Sequence, residues 1–440
     1  MPLSIRDALL KRQREELRNL LRSVWPRSSF YREYYARHGI GERDLAEIDV
    51  GDLPFVSKAM LMENFDAAVT EPELRKKDLE QWLQENRDPR QLYRGKYIVV
   101  HSSGSSGDPA VFVSDAREWR LTGMLLANHL PPPERGLRDR TQVAAYMASH
   151  GHFGGVTSVV RLPQSVFEVL VLSVLDAASR VVERLNAFQP DRLVGYSSSL
   201  AMLAESALAG DLRISPGTII AGGDMLTGKM EAKIQSAWPA RVYDVYAASE
   251  ARCLAVRAPG EEEMTTMDEL NILEILDREG RPVDSGAAGR VVLTNLHHAI
   301  LPILRYELGD HAIAGKGRED SAFGTIRSIQ GRAAEALPVT LDDGTRDSIH
   351  PIVLAEFFAA DLETIQFISE RPDRVEIHYV AARDIDDRVR REFSRILELK
   401  AALRTMFAVR RVESIPVDPR TGKSALVRIG EEPQGLGSTR

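Results

Sequence analysis

From Tyr97 onward, short runs of aliphatic and β-branched residues alternate with longer segments of helical periodicity. Continuous apolar strands separated by helices are typical of a largely parallel sheet that is covered on both faces. The predicted strands are Ile98–Val100, Val111–Val113, Gln142–Tyr146, Arg192–Val194, Thr218–Ala221 and Arg241–Val245. The predicted helices are Ala116–Leu130, Gln164–Ala177, Val181–Phe188, Ser198–Ala209 and Lys229–Trp238. The sequence therefore predicts a large α/β domain.

Three other regions flank or extend this α/β pattern. Residues 1–95 predict a helical preface, which begins with an amphipathic helix that ends at Pro26. Residues 265–315 predict a small antiparallel β subdomain, because short strands alternate there with turn residues. Its predicted strands are Asn271–Leu276, Gly289–Asn295 and Leu301–Tyr306.

The charged region at the end of the chain predicts a second, smaller domain. It carries a hairpin signal at Asp342–Thr345, strands at Thr364–Ser369 and Arg374–Ala381, and helices at Ile352–Ala360 and Asp384–Leu399. The expected division is an N-terminal domain of residues 1–331 and an α+β C-terminal lid domain of residues 332–440. The predicted fold class is therefore α/β with a mobile lid.

Composition excludes several classes of function. The net charge of −7 argues against a general surface for nucleic acid. The single cysteine, Cys253, excludes disulfides within the chain and multi-cysteine metal sites, and it fits a reducing cytoplasm. The N-terminus lacks the apolar core of a signal peptide, and no apolar run is long enough to span a bilayer. We expect a cytoplasmic protein with small-molecule partners, without nucleic acid or membrane.

A loop of six consecutive serines and glycines follows the first predicted strand. Glycines let the backbone approach a ligand, and serine hydroxyls with free N–H groups can surround a phosphate. The alternative is a flexible linker, which such composition often makes. The loop residues are Ser102, Ser103, Gly104, Ser105, Ser106 and Gly107.

Five further segments follow this loop in an order and spacing that resemble those of one enzyme superfamily. They are Ala221–Asp224, Tyr243–Glu250, Leu301–Asp310, Ile329–Arg332 and Pro419–Lys423. Together they resemble the adenylate-forming enzymes, and among these the phenylacetate–CoA ligase group with its coenzyme F390 synthetase-like relatives. The preface matches as well, at Ser29–Arg32 and Leu53–Lys58. The resemblance covers nearly the whole chain.

The resemblance implies an AMP-forming, ATP-dependent carboxylate ligase. Such enzymes convert a carboxylic acid and ATP to an acyl-adenylate and pyrophosphate, with Mg²⁺ on the phosphates, and then transfer the acyl group. The expected acceptor is the CoA thiol; an amine or a carrier-protein thiol is the alternative, and so is a nucleotide-binding relative with little turnover. Dimers are common in such relatives, so a homodimer is compatible with the resemblance.

The resemblance also assigns roles to residues. It implies that Glu250 holds Mg²⁺, that Tyr246 lies against adenine, and that Asp310 accepts bonds from the ribose hydroxyls. It places Lys423 on the reacting carboxylate and Arg332 near phosphate or ribose. The implied catalytic residues are Lys423, Glu250 and Ser249. The implied ATP-binding residues are Ser102, Ser103, Gly104, Ser105, Ser106, Gly107, Gly222, Gly223, Asp224, Tyr246, Ala247, Asp310 and Arg332.

Each of these residues has a structural alternative. Glu250 and Lys423 are compatible with ordinary surface positions, and Tyr246 with a core position. Asp310 after a glycine suits a turn. Arg305 fits either a polar role at the site or a structural ion pair.

The match breaks at three places. Asp108 replaces the lysine common at the end of the phosphate loop, and Asp224 stands where relatives often have Glu. Ala334 occupies the position of the usual hinge aspartate, whose role would pass to Glu335. The departure at the hinge concerns the domain rotation that builds the thiol-accepting site. The first half-reaction is therefore the better supported one.

The segment Tyr146–Gly155 resembles the glycine- and aromatic-rich stretch that shapes the acyl pocket of these relatives. Its implied substrate-binding residues are Tyr146, His150, Phe153 and Gly154. Together with His152, they predict an aromatic or compact polar acid. A P-loop kinase or ATPase is discounted, because the Ser/Gly loop lacks the Gly-Lys-Ser/Thr ending.

Overall fold

The computed structural model describes residues 4–102, 110–135, 139–318, 321–330, 336–349, 353–354, 362–371, 373–416 and 425–429. Among these residues, no helix is both long enough and apolar enough to cross a membrane.

The preface is helical, as predicted. Its helices are α1 (Ile5–Val24), α2 (Ser29–Arg37), α3 (Lys58–Glu63), α4 (Phe65–Ala68) and α5 (Lys76–Glu85). Ser4 caps α1 in a reciprocal capping box with Asp7. The apolar faces of the preface share one core with the first hairpin and with residues 293–306, so the preface is packed directly on the neighbouring domain.

The following region has the predicted alternation of strands and helices. Its elements are β1 (Tyr97–His101), β2 (Val111–Asp115), α6 (Ala116–Ala127), β3 (Thr141–Met147), α7 (Gly154–Val160), β4 (Phe167–Ser173), α8 (Ala178–Phe188), β5 (Arg192–Gly195), α9 (Ser197–Leu208), β6 (Thr218–Gly222), α10 (Gly228–Ala237) and β7 (Arg241–Tyr246). Strands β1 and β2 form an antiparallel hairpin around the Ser/Gly loop. Strands β4, β3, β5, β6 and β7 pair in parallel in that order.

The antiparallel strands predicted after this region extend the same sheet. They are β8 (Ala255–Arg257), β9 (Met264–Thr266), β10 (Asn271–Leu276), β11 (Ala288–Asn295), β12 (Tyr306–Ala314) and β13 (Thr325–Gln330). The order β10-β11-β12-β13-β9-β8-β7-β6-β5-β3-β4 makes one sheet of 11 strands within the described residues. Because β7 pairs with β8, the parallel and antiparallel parts are continuous. We call residues 97–330 the core domain.

Two sequence predictions in this region are wrong. The predicted helix Gln164–Ala177 is instead strand β4, which pairs in parallel with β3. A short apolar run suits either state, and here an open sheet edge decides it. The predicted strand Leu301–Tyr306 begins only at Tyr306, because residues 301–305 pack on the preface. Arg305 has φ +46°, which a regular strand does not accommodate.

The described residues from 336 onward form a small four-stranded sheet and a two-stranded hairpin. Its elements are β14 (Leu337–Thr340), β15 (Arg346–Ile349), β16 (Leu362–Arg371), β17 (Arg374–Ala381), α11 (Asp386–Lys400), β18 (Met406–Arg411) and β19 (Val427–Ile429). Strands β18-β17-β16-β19 form a sheet in that order, and β14-β15 is the predicted hairpin. We call the described residues from 336 onward the lid. The predicted boundary at 331/332 and most of the predicted helix Ile352–Ala360 lie outside the described residues.

Candidate active site

Residues predicted to bind nucleotide meet beyond the carboxyl end of β7. The hydroxyl of Tyr246 donates a 2.7 Å hydrogen bond to the carboxylate of Asp310. Asp310 does not lie in a turn: it is inside β12, directly after Gly309, which has φ +78°. The register of β12 on β11 shifts at this point, and a bulge of this kind redirects a side chain. The structure thus brings Tyr246 and Asp310 together, with Ala247 exposed beside them.

Glu250 follows β7 by four residues and lies in the same place. Its carboxylate accepts a 3.1 Å hydrogen bond from the hydroxyl of Tyr306. Burial raises the pKa of Glu250, whereas the positive charge of Lys58 opposes that rise and the charge of Asp310 adds to it. Glu250, Asp310 and Lys58 therefore form one charged cluster.

Lys58 reaches this cluster from the preface. The backbone of Val56 pairs in parallel with Tyr306, donating to the carbonyl of Arg305 (3.0 Å) and accepting from Glu307 (2.9 Å). Lys58 is the first residue of α3, two positions further on. Neither Lys58 nor Tyr306 is among the site residues predicted from the sequence; the match at Leu53–Lys58 is the signal that points to the lysine.

Of the two roles that the sequence allowed for Arg305, the structure shows the structural ion pair. Its guanidinium donates to the carbonyls of Gly51 and Leu53, both at 2.6 Å, and lies 3.4 Å from Glu274. It also stacks on the ring of Phe55 at 4.2 Å. Arg305 therefore holds the preface segment that carries Lys58 against the core domain.

The loop that carries Glu250 rests on buried polar groups. Arg252, at φ +64°, donates to the carbonyl of Trp119 (2.8 Å) and the hydroxyl of Ser158 (3.3 Å). The ring of His298 hydrogen-bonds the backbone of Glu250, and burial lowers the pKa of His298 to about 4. The next residues after His298 are held by Glu118, whose carboxylate accepts from Ala299 (2.7 Å) and Ile300 (3.0 Å). These contacts fix the Glu250 backbone from behind.

Glu118 gives a testable pH dependence of stability. Burial raises the pKa of Glu118 from 4.5 to about 7. The raised pKa means that the folded state favours the protonated form of Glu118. The stabilisation of the folded state by this group is fully present below pH 4.5 and is lost as the pH rises to about 7. The free energy of unfolding of Glu118→Gln, minus that of the wild type, should increase by up to about 3 kcal/mol over this range. Urea titrations at several pH values measure it, and a flat difference would contradict the prediction.

The predicted acyl-pocket segment lies against Ser249 and the base of the Ser/Gly loop. A Cβ at Gly154 would lie 3.8 Å from Cα of Ser249, and the Ser249 hydroxyl donates to the carbonyl of His101 at 3.3 Å. The ring of Phe153 lies 4.6 Å from that of His101 and 5.3 Å from that of His150. His150, Phe153 and Gly154 are therefore beside the loop that carries Ser249 and Glu250.

Tyr146 and His152 are buried aromatic residues of the same segment. Tyr146 is 3% exposed, and burial together with the charges of Asp347 and Asp176 raises the pKa of its phenol. His152 is buried against the ring of Trp82 at 4.6 Å. A substrate contact of Tyr146 stays a prediction.

The Gly222–Asp224 segment makes close contacts next to the site. A Cβ at Gly222 would lie 2.7 Å from the carbonyl oxygen of Val245, and one at Gly223 would lie 2.7 Å from the ring of Tyr196. Asp224 caps α9, where its carboxylate accepts from the N–H groups of Ser197 and Ser198. The glycines are therefore required by packing, and the ATP-binding role of Asp224 stays a prediction.

Part of the predicted site falls outside the described residues. Of the Ser/Gly loop only Ser102 is described; it closes the base of the loop through two bonds with Ala110, at 2.9 and 3.0 Å. The predicted residues outside the described part are Ser103, Gly104, Ser105, Ser106, Gly107, Arg332 and Lys423, with Asp108, Ala334 and Glu335.

The carboxylates of the cluster suit Mg²⁺, a hard cation that prefers oxygen ligands. Within the described residues, no group of three or more His, Cys, Asp or Glu side chains could hold a metal ion. A single carboxylate of the cluster is enough for a magnesium ion whose other ligands are the phosphates of the substrate, which is the usual arrangement for Mg²⁺.

Comparisons with known proteins concern the fold of the chain. No family model matches the chain. Protein CapK of Staphylococcus aureus is 21% identical over 441 residues, which span 93% of this chain and 87% of CapK. The structure resembles 2-hydroxyisobutyryl-CoA ligase in complex with 2-HIB-AMP and CoA in the thioesterification state, with TM-score 0.62 and 17% identity over 96% of this chain and 90% of the ligase.

The same ligase in its postadenylation state with 2-HIB-AMP matches with TM-score 0.56 and 16% identity, over the same shares of both chains, 96% and 90%. The match spans the core domain as well as the lid. The chain therefore has the fold of the adenylate-forming CoA ligases.

Proposed function

We propose that this chain is an ATP-dependent, AMP-forming carboxylate ligase. The observation that carries the proposal is the cluster at β7 and β12, where Tyr246 contacts Asp310 and where Glu250 accepts a bond from Tyr306 and feels the charge of Lys58. The aromatic ring suits the adenine base, one carboxylate suits the ribose and the other a metal ion, and the cation suits the phosphates. The narrower assignment to the phenylacetate–CoA ligase group stays a prediction.

In the proposed mechanism, the chain's residues bind and orient ATP and the acid. The Asp310 carboxylate accepts bonds from the ribose hydroxyls, and Glu250 would hold Mg²⁺. When bound, Mg²⁺ neutralises charge that develops on the phosphate oxygens. Lys58 would face the same phosphates, and the resemblance assigns the Ser/Gly loop to them as well. Such preorganised charges favour the transition state, because they need no rearrangement as it forms.

The proposed chemical step is an in-line displacement at the α-phosphorus. A carboxylate oxygen of the acid forms a bond to this phosphorus, and the bond to the oxygen that bridges to the β-phosphate breaks. Pyrophosphate leaves with that oxygen and its electron pair, and an acyl-adenylate remains. Lys423 would contact the acid and the α-phosphate.

We propose a compact acid, aromatic or polar, as the substrate. The support is that Gly154 lies against Ser249 and that the preceding Phe153 packs its ring against those of His101 and His150, so aromatic side chains lie close to this part of the site. For the acceptor we propose the CoA thiol, with an amine or carrier-protein thiol as the alternative that Ala334 favours. We also propose that the described arrangement of lid and core domain is the one for acyl transfer. The support is the higher TM-score against the thioesterification state of 2-hydroxyisobutyryl-CoA ligase (0.62) than against its postadenylation state (0.56).

Exchange of label between pyrophosphate and ATP tests the proposed function. The panel contains aryl, amino-aryl, short-chain and long-chain acids, without any acceptor. Acid-dependent exchange with compact acids is expected. Exchange that is fastest with long-chain acids would refute the compact-acid proposal. No exchange, in a protein that still binds ATP, would refute adenylation of the acids in the panel and favour a binder with little turnover.

Lys58→Met is expected to raise the Kd for ATP about tenfold, which corresponds to about 1.4 kcal/mol. The reason is the loss of a positive charge beside Glu250 that faces the phosphates. Binding of AMP should change much less, because AMP lacks the β- and γ-phosphates. Calorimetric titration with ATP and AMP measures both, and Lys77→Met on the exposed face of α5 is the matched control. Equal losses for both nucleotides would contradict a role at the outer phosphates.

A further inference from the structure

A lysine at the last position of α11 is enclosed where the lid meets the core domain. Lys400 is 1% exposed, and its ammonium group donates to the carbonyls of Val174 (3.2 Å) and Asp176 (2.9 Å). The same group lies 3.2 Å from the carboxylate of Asp347, whose side chain is 0% exposed. Buried charges are costly unless they are both paired and hydrogen-bonded, and these two charges satisfy both conditions.

The carboxylate of Asp347 is bonded to the core domain as well. Asp347 lies in β15 of the lid, and its Oδ2 accepts from the N–H of Ala178 at 3.1 Å. Ala178 is the first residue of α8, where a free N–H group and the helix dipole favour an anion. The other oxygen, Oδ1, accepts from the backbone of Ser348 at 2.7 Å.

Both partners of the ion pair belong to the lid, and the core domain offers them three backbone groups together with the nearby charge of Asp176. If the lid leaves this position, Lys400 and Asp347 can stay paired and become hydrated together, and the carboxylate of Asp176 keeps its bond from the N–H of Ser173 and gains water. The carbonyls of Val174 and Asp176 and the N–H of Ala178 can bond to water instead. The contact is therefore stable while it is shielded from water, and the lid can leave without exposing the core to an uncompensated buried charge.

We propose that Lys400 and Asp347 form a latch that holds the lid in its described orientation on the core domain. The latch selects an orientation, because the three backbone groups that it binds come from one short segment, residues 174–178. For a ligase of the proposed kind, the latch would favour the acyl-transfer arrangement over adenylation. This last step rests on the proposed function; the latch itself does not.

The distance between the lid and the core domain tests the latch without any substrate. Cys253 is the single cysteine and is 1% exposed, so labels introduced at the surface have no competing site. Spin labels on Ala187→Cys in α8 and Ser394→Cys in α11 report the separation of two exposed positions by pulsed electron resonance. The otherwise unmodified protein should show one narrow distance distribution.

Lys400→Met is expected to raise the undocked-to-docked ratio about a hundredfold, because it leaves Asp347 buried without its partner. The matched control is Arg391→Met on the exposed face of the same helix, which should leave the distribution unchanged. An unchanged distribution in folded Lys400→Met would overturn the latch.

Ala178→Pro tests the same contact from the core side and decides the question if Lys400→Met does not fold. Proline is tolerated at the first position of a helix, and the preceding Ala177 already has the extended conformation that proline favours (φ −60°, ψ 139°). The substitution removes the N–H that donates to Asp347 and puts the ring Cδ of proline in its place, toward the same carboxylate oxygen. We expect about a tenfold rise in the undocked-to-docked ratio, since hydrogen bonds to charged groups are among the stronger ones. No rise in the folded variant would overturn the contribution of Asp347.

Activity separates this inference from the proposed function. If both hold, the latch variants should slow acyl transfer to CoA and leave ATP–pyrophosphate exchange near the wild-type rate. A change in the distance distribution in a protein without any exchange activity would support the latch and refute the proposed function. Normal exchange activity with an unchanged distance distribution would support the proposed function and refute the latch.

Discussion

Glu250→Gln is expected to lower the rate of acid-dependent ATP–pyrophosphate exchange by about a hundredfold to a thousandfold. The substitution preserves the size of the side chain and its bond from Tyr306 but removes the negative charge that would hold Mg²⁺. An amide oxygen is a weaker ligand for a hard divalent cation than a carboxylate. Exchange rates measured over a range of Mg²⁺ concentrations should show a raised requirement for the metal.

Glu262→Gln is the matched control for this prediction. Glu262 is an exposed carboxylate between β8 and β9 and does not belong to the cluster, so its replacement should leave exchange unchanged. A normal exchange rate and a normal Mg²⁺ requirement in Glu250→Gln would contradict the assignment of Glu250 as the metal-holding residue. Thermal unfolding of both variants shows whether each one is folded.

Lys423→Ala is expected to lower acyl-adenylate formation about a hundredfold or more, which matches the removal of one preorganised charge from a transition state. ATP binding should stay nearly intact, because the tyrosine, the carboxylates and Lys58 are all contributed by other parts of the chain. Exchange measures the first effect, and calorimetric titration with ATP measures the second.

Lys77→Ala, an exposed lysine in α5, controls for the general loss of a positive charge. A near-normal exchange rate in Lys423→Ala would remove this residue from the proposed mechanism. Loss of ATP binding together with exchange would point to a binding role instead. The pair Glu250→Gln and Lys423→Ala therefore separates the part of the site on the core domain from the part near the end of the chain.

The two substitutions also bear on the order of events at the lid. The latch of Lys400 and Asp347 holds the lid in one orientation, and adenylation in the proposed mechanism needs Lys423 at the reacting carboxylate. If the latch disfavours that orientation, Lys400→Met should not slow exchange, whereas Lys423→Ala should. A double variant with the same exchange rate as Lys423→Ala alone would show that the latch acts only on the position of the lid.

The local pattern of apolar residues was sufficient to predict most helices and strands of the core domain. The alternation of apolar strands and amphipathic helices from Tyr97 to Tyr246 predicts nearly every element there, because burial on both sheet faces demands continuous apolar runs. It failed at β4, where an apolar run of a few residues fits a helix and an edge strand equally well. It also failed at residues 301–305, where contacts with the preface override strand propensity.

Tyr246, Glu250 and Asp310 could be named from the sequence, because the order and spacing of their segments resemble those of the adenylate-forming enzymes. The groups that surround them became apparent only in the folded chain. Lys58 comes to Glu250 through the pairing of Val56 with Tyr306, and Lys400 comes to residues 174–178 through the docking of the lid. These contacts join segments about 190 residues apart or more, and periodicity indicates only what neighbours within a few turns or strands share.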